Sequence, residues 1–225
     1  MSDKALAAPP AEQRAIHLAA EPKAYPMGGS IPIRVRYQNK GQSSTSFREP
    51  KRTWEVKLAI RSNGEAPVAV PFGRILQKTV NGMFKWSVED AEQVTLKPGE
   101  SHEFEEDAGK RWPEQFPLGF HDLQVVDVTN DAAPLKSNVA EIRIVYDTTT
   151  FPDLLALGSE KDARPDVVAF AAKWIATLYP EFRVTPLPGP AEFAEAKAWW
   201  AAHGMDQGIQ RRIVRINAEA ANPGR

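Results

Sequence analysis

Ile31-Pro32-Ile33-Arg34-Val35-Arg36-Tyr37-Gln38, closed by Asn39-Lys40-Gly41, decides how the rest of the chain is read. Ile31, Ile33, Val35 and Tyr37 fall on one face, with Arg34, Arg36 and Gln38 opposite. Period-two alternation marks a strand with one buried face, and Asn-Lys-Gly is turn chemistry. The pattern recurs outward from there. Trp54, Val56, Leu58 and Ile60 alternate with Glu55, Lys57 and Arg61, which predicts a strand with Trp54 inward. Asn63-Gly64 then predicts a type I′ turn. Phe84, Trp86 and Val88 predict another strand. Val94 and Leu96 run into a tight turn at Lys97-Pro98-Gly99-Glu100, and His102, Phe104 and Glu106 follow. Leu123 and Val125 belong to a strand opened by Pro117-Leu118-Gly119-Phe120, and Ala140, Ile142, Ile144 and Tyr146 close the series. With Ile16–Ala20 this makes seven to nine strands and no helical period. Two stacked antiparallel sheets are expected over 14–147.

Several turn motifs lie around those strands. Tyr25-Pro26-Met27-Gly28-Gly29-Ser30 precedes the first quoted strand. Leu96-Lys97-Pro98-Gly99-Glu100-Ser101, Pro117-Leu118-Gly119-Phe120 and Ser137-Asn138-Val139-Ala140-Glu141-Ile142 follow in order. This succession resembles bacterial immunoglobulin-like domains, including the intracellular proteinase inhibitor type. Such domains run Leu-x-Pro-Gly-Glu and then Pro-Gly-x-Tyr before the penultimate strand. Here Leu118-Gly119-Phe120 occupies the second position, without that proline and tyrosine. The resemblance implies an immunoglobulin-like fold and, as one functional alternative, proteinase inhibition. Its motifs form turns and specify fold rather than activity.

From 148 the period changes. Val167, Phe170, Ala171, Trp174, Ile175 and Leu178 form a helical stripe between Pro165 and Pro180. Gly189-Pro190 opens a second helix with Phe193, Ala196 and Trp200 on its stripe, and Gly204 ends it as a C′ glycine. A third helix turns Ile209, Ile213 and Ile216 inward and Arg211, Arg212 and Arg215 outward. Phe151–Leu157 adds a short helix. These helices resemble HEAT-like α-hairpin appendages, with Ala196-Lys197-Ala198-Trp199-Trp200 as the nearest signature. Phe170, Trp174, Phe193 and Trp200 are expected to meet the sandwich. The proline-bearing connectors 148–152 and 183–190 are expected to be open to proteases.

The expected fold is therefore mainly β with an α-helical C-terminal part: an immunoglobulin-like antiparallel β-sandwich plus a small helical subdomain. The divisions are a flexible N-terminus (1–13), the sandwich (14–147), the helical subdomain (148–217) and a flexible tail (218–225).

Composition narrows function by exclusion. The 225 residues carry 28 basic against 29 acidic side chains, a formal charge of −1, which argues against a whole-domain nucleic-acid footprint. No apolar run approaches the roughly 18 residues of a membrane-spanning helix. The absence of cysteine excludes disulfides, zinc–thiolate sites and a thiol nucleophile. Met1 to Pro10, MSDKALAAPP, lacks the apolar core of a secretory signal. As written the chain is expected in the cytoplasm, or in the periplasm or outside the cell if a leader has been removed.

No nucleophile elbow, phosphate-binding loop, dinucleotide fingerprint or His-Glu-x-x-His is present. Ser101-His102-Glu103-Phe104-Glu105-Glu106-Asp107 offers carboxylates for a hard cation but reads first as a charged strand guarding a sheet edge. His121-Asp122 offers an acid–base pair if a serine converges on it but reads first as strand-entry polarity. Trp199-Trp200 places two indoles about 100° apart on a helix, so one seals the core and the other bridges or faces a partner. The basic stripe Arg211, Arg212 and Arg215 suits an anion but reads first as a solvated face. The reading expects a non-catalytic binding or interaction module without cofactor or metal. Its partner is a protein or peptide, touched by Trp199, Arg211, Arg212 and Arg215. The alternatives are a proteinase inhibitor and a hydrolase whose scattered His and Asp residues converge.

Overall fold

In the computed structural model, the described residues are 14–221 apart from 74, 81–82, 89–91 and 130–132, and over 75–88 only the strand backbones. The expected flexible N-terminus (1–13) and the end of the expected tail (222–225) lie outside them. In chain order the strands are β1 (Arg14–Ala20), β2 (Ala24–Pro26), β3 (Pro32–Asn39), β4 (Thr45–Arg48), β5 (Val56–Ser62), β6 (Val68–Pro71), β7 (Ile75–Val80), β8 (Met83–Val88), β9 (Gln93–Leu96), β10 (Ser101–Asp107), β11 (Gly119–Asp127), β12 (Leu135–Lys136) and β13 (Ala140–Val145). The helices are α1 (Ala108–Arg111), α2 (Thr150–Ser159), α3 (Pro165–Leu178), α4 (Pro190–His203) and α5 (Gln207–Ala221).

The alternating stretch that begins at Ile31 forms β3, the centre of a sheet ordered β1-β3-β10. Its alternation is kept: Ile33, Val35 and Tyr37 are buried, while Arg34 and Arg36 face Glu105 and Glu103 across the strand pair. The other sheet runs β2-β13-β11-β5-β6, with β12 beside one end of β11. Every pairing is antiparallel except β2–β13, which is parallel. β4 pairs with β9, and β7 with β8. Leu18, Val35 and Phe104 of the first sheet share one hydrophobic cluster with Leu58, Leu123, Val125 and Ile142 of the second. The fold is two packed β-sheets followed by helices, mainly β with an α-helical C-terminal part as expected. β8 holds the strand expected at 84–88, and its side chains lie outside the described residues.

One strand face was read one residue pair too far. β5 begins at Val56, and Trp54 stands before it in a turn, 40% exposed. Thr53 is buried instead, its hydroxyl donating to the Glu49 carbonyl (2.5 Å) at the end of a 3-10 turn over Pro50–Arg52. That turn sets the phase and leaves the indole outside. At the other end of β5, Asn63 (φ 49°) and Gly64 (φ 79°) form the left-handed pair that a type I′ hairpin requires.

At the junction 148–152, Thr148, Thr149 and Pro152 are exposed and the two residues between them are anchored. The Asp147 carboxylate accepts from the amides of Thr149 (2.8 Å) and Thr150 (3.1 Å), and Thr150 and Phe151 are buried. In α3 the buried line is Val167, Ala171, Ala172, Ile175 and Leu178, with Phe170 and Trp174 at its edges. The tail starts later than expected: α5 is helical to Ala221, and Ala220 packs on the core.

The helical part is docked on the sandwich, but not by all of the residues expected. Gly28, with φ +76°, would bring a Cβ within 3.1 Å of Leu157 and 3.3 Å of Leu154, so α2 packs against bare backbone. Asn217 of α5 accepts from the Tyr146 amide (2.8 Å) and donates to its carbonyl (2.7 Å), capping the chain beyond β13 as a strand neighbour would. The Tyr146 hydroxyl donates to the Trp174 carbonyl (3.4 Å), and Arg164 pairs with Glu114 (2.8 Å). Phe193 and Trp200 pack on α2 rather than on the sandwich, because both find aromatic or glycine partners there.

Candidate functional site

The site is built by two helices, α2 and α4, that meet at a glycine near the C-terminal end of α2 and at a stack of Phe151 on Trp200 near its start. Gly158 of α2 lies against the ring of Phe193 of α4, and a Cβ at that position would overlap it. α2 presents Pro152, Leu155, Ala156 and Ser159, spaced i, i+3, i+4 and i+7. α4 presents Phe193, Lys197, Trp200 and Ala201, with Pro190 and Ala194 completing the wall. Between them is a groove of about 570 Å³, within the roughly 300–1,000 Å³ of ligand sites. Lys197 is the one charged residue of its lining.

Aromatic stacking holds the α4 wall. Trp200 stacks on Phe151 with centroids 4.5 Å apart and planes 7° apart. Trp199 stacks on Tyr179 (4.6 Å, 9°), with His203 on the same indole (5.3 Å, 23°). Gly204 has φ −58°, so it is not the left-handed cap expected. It is glycine because a Cβ would stand 2.7 Å from the Trp200 ring.

The four residues expected to touch a partner do not converge. Trp199 is half-buried in its stack and does not line the groove. Arg211, Arg212 and Arg215 border a separate concavity on α5 with Gly208. The α2 wall was missed, because Pro152, Ala156 and Ser159 carry no side chain that marks chemistry. A signal was present in α4, which is apolar around most of its circumference: Phe193, Ala194, Ala196, Ala198, Trp199, Trp200 and Ala201. A helix with two apolar faces buries one and offers the other.

His121 does find a hydroxyl. Its Nε2 lies 2.7 Å from the Pro117 carbonyl, which only accepts, so Nε2 carries the proton and Nδ1 accepts from Ser62 Oγ at 2.9 Å. The ring is 1% exposed, and burial pushes its pKa below the ordinary histidine value despite the opposing pull of that carbonyl and of Asp122. Asp122 points to the opposite face of β11. The acidic strand is tied up pair by pair. Glu103 and Glu105 meet Arg36 and Arg34, Glu106 meets Arg111, and His102 meets Glu49 at 2.9 Å. Asp107 accepts from the amides of Ile31 and Lys110, the latter capping α1. Among the described residues no group of three or more His, Asp or Glu is placed to hold a metal ion, and no helix is long and apolar enough to cross a membrane.

No protein-family model and no curated protein matches the chain. A β-glucosidase from Listeria innocua, solved with isofagomine, matches 58% of this chain and 16% of its own at 14% identity and a TM-score of 0.35. The sporulation control protein Spo0M of Bacillus subtilis matches 65% of this chain and 54% of its own at 12% identity and a TM-score of 0.35. The CARDB domain of a Pyrococcus furiosus protein, solved with di-metal ions, matches 60% of this chain and 94% of its own at 11% identity and a TM-score of 0.31. The chain thus spans about a sixth of the glucosidase and about half of the sporulation protein. These likenesses assign it to none of the three families.

Proposed function

We propose that the chain is a non-catalytic binding module and that its α2–α4 groove takes an amphipathic helix of a protein or peptide partner. The observation that carries this is the lining: two helical stripes, apolar apart from Ser159 and Lys197, floored by Phe193 and Trp200. From Pro190 to Ala201 the α4 wall is about 16 Å long at 1.5 Å per residue. That length suits two to three turns of a helix anchored at i, i+3, i+4 and i+7. Lys197 favours an acidic residue beside those anchors.

A displayed library of 14-residue helical peptides tests the proposal. Enriched peptides should carry that spacing with one Asp or Glu. Binding should be lost in Ala156→Arg and Ala201→Arg, which fill the groove from exposed positions. Peptides that bind these variants as well as the parent, or no enrichment at all, would contradict it.

The Ser62–His121 hydrogen bond favours a second reading, a serine hydrolase. Against it stand the closed environment of the imidazole and the absence of a carboxylate on its second nitrogen. Labelling of Ser62 by a fluorophosphonate, abolished by His121→Gln, would support it. Inhibition of proteinases draws support from the resemblance alone.

A further inference from the structure

Arg211, Arg212 and Arg215 gather around Gly208 on α5, and these four residues line a concavity of about 330 Å³. They stand at i, i+3, i+4 and i+7, so three guanidinium-bearing side chains border one position without a side chain. That position is open: a Cβ on Gly208 would meet nothing within 4 Å.

The arrangement is unfavourable to the helix that carries it. Arg211 and Arg215 are like charges at i, i+4. Some arginines of the sandwich meet carboxylates directly, as Arg34 meets Glu105 and Arg111 meets Glu106. On α5 only Arg215 does, at 3.8 Å from Glu219 with both side chains exposed. Arg211 Nε donates to the Gln207 carbonyl of its own helix (3.4 Å). Among the described residues neither Arg211 nor Arg212 has a carboxylate within 4 Å. A bound anion would reverse each of these costs.

We propose that Gly208, Arg211, Arg212 and Arg215 form a site for a phosphate group. Planar guanidiniums give paired donors to phosphate oxygens, and three cations match a dianion better than a single carboxylate. The phosphate is either that of a soluble ligand or a lipid headgroup. Met205 and Val214, both largely exposed beside the arginines, make the second source worth a separate arm.

Inorganic phosphate is titrated into the full chain at constant ionic strength while backbone amide shifts are followed. Saturable shifts at 208, 211, 212 and 215 are expected, absent with chloride. Arg211→Gln, Arg212→Gln and Arg215→Gln should each weaken binding roughly tenfold, the value of one charge-assisted hydrogen bond. Any one of these variants that folds serves if the others do not. Shifts that follow ionic strength only, or that persist unchanged in these variants, would overturn the proposal. Co-sedimentation with phosphatidylglycerol-containing vesicles separates the sources. Arginine-dependent sedimentation supports a headgroup, and phosphate binding without sedimentation supports a soluble ligand. The absence of both phosphate-induced shifts and sedimentation would overturn the site altogether.

Discussion

The imidazole of His121 is held neutral in the sandwich, and stability should report it. Its folded pKa is lowered by burial, so the unfolded chain binds the extra proton more readily below about pH 6.5, the free histidine value. The stability this group contributes is complete above that pH and is lost as pH falls toward the lowered folded value. In urea unfolding, the advantage of the parent over His121→Gln should shrink between pH 7.5 and pH 5; a constant or growing gap would contradict the buried neutral ring. The sequence marked His121 only as half of a His-Asp pair, because Ser62 reaches it through strand pairing, from β5 to β11. Trp54 fails for the opposite reason. Its period-two position is correct on paper, but a 3-10 turn ends at Arg52 and the strand starts only at Val56. Periodicity shows where side chains alternate and does not show where alternation starts.

At the scale of elements, long periodic segments were readable and short ones were not. β1, β3, β10 and β13 follow from alternation, and α3 and α5 from helical stripes. β4 and β6 have four residues each and β12 two, too few to show a period. They exist because neighbouring strands supply their hydrogen bonds. The groove was hidden because it is a relation between α2 and α4, which are separated by all of α3. Gly158 sets that relation. Gly158→Ala should force the Phe193 ring aside at a cost of about 1–3 kcal/mol, the range for overpacking a core, although alanine is the better helix former. Denaturant midpoints measure this. A stabilised variant would show that α2 and α4 are not in contact there.

Across the whole molecule, the sandwich and the helices share one core, with Tyr146 and Phe151 both within it. The helical segment is too small to hold much core of its own. Far-ultraviolet circular dichroism and tryptophan emission should therefore trace a single coincident unfolding transition. Asn217→Ala, which leaves the Tyr146 amide and carbonyl without their partner, should lower the stability by about 1–3 kcal/mol without splitting that transition. Two separate transitions would mean tethered domains. Docking bears on function because it holds α2 at Gly28 and α5 at Tyr146, leaving the outer faces of α2 and α4 as the open pair. Mapping amide shifts on the full chain with a peptide selected on it tests that account most directly. The account predicts shifts confined to the α2–α4 groove, at Ala156, Ala194, Lys197 and Ala201. Shifts on the sandwich loops with those four silent would contradict it.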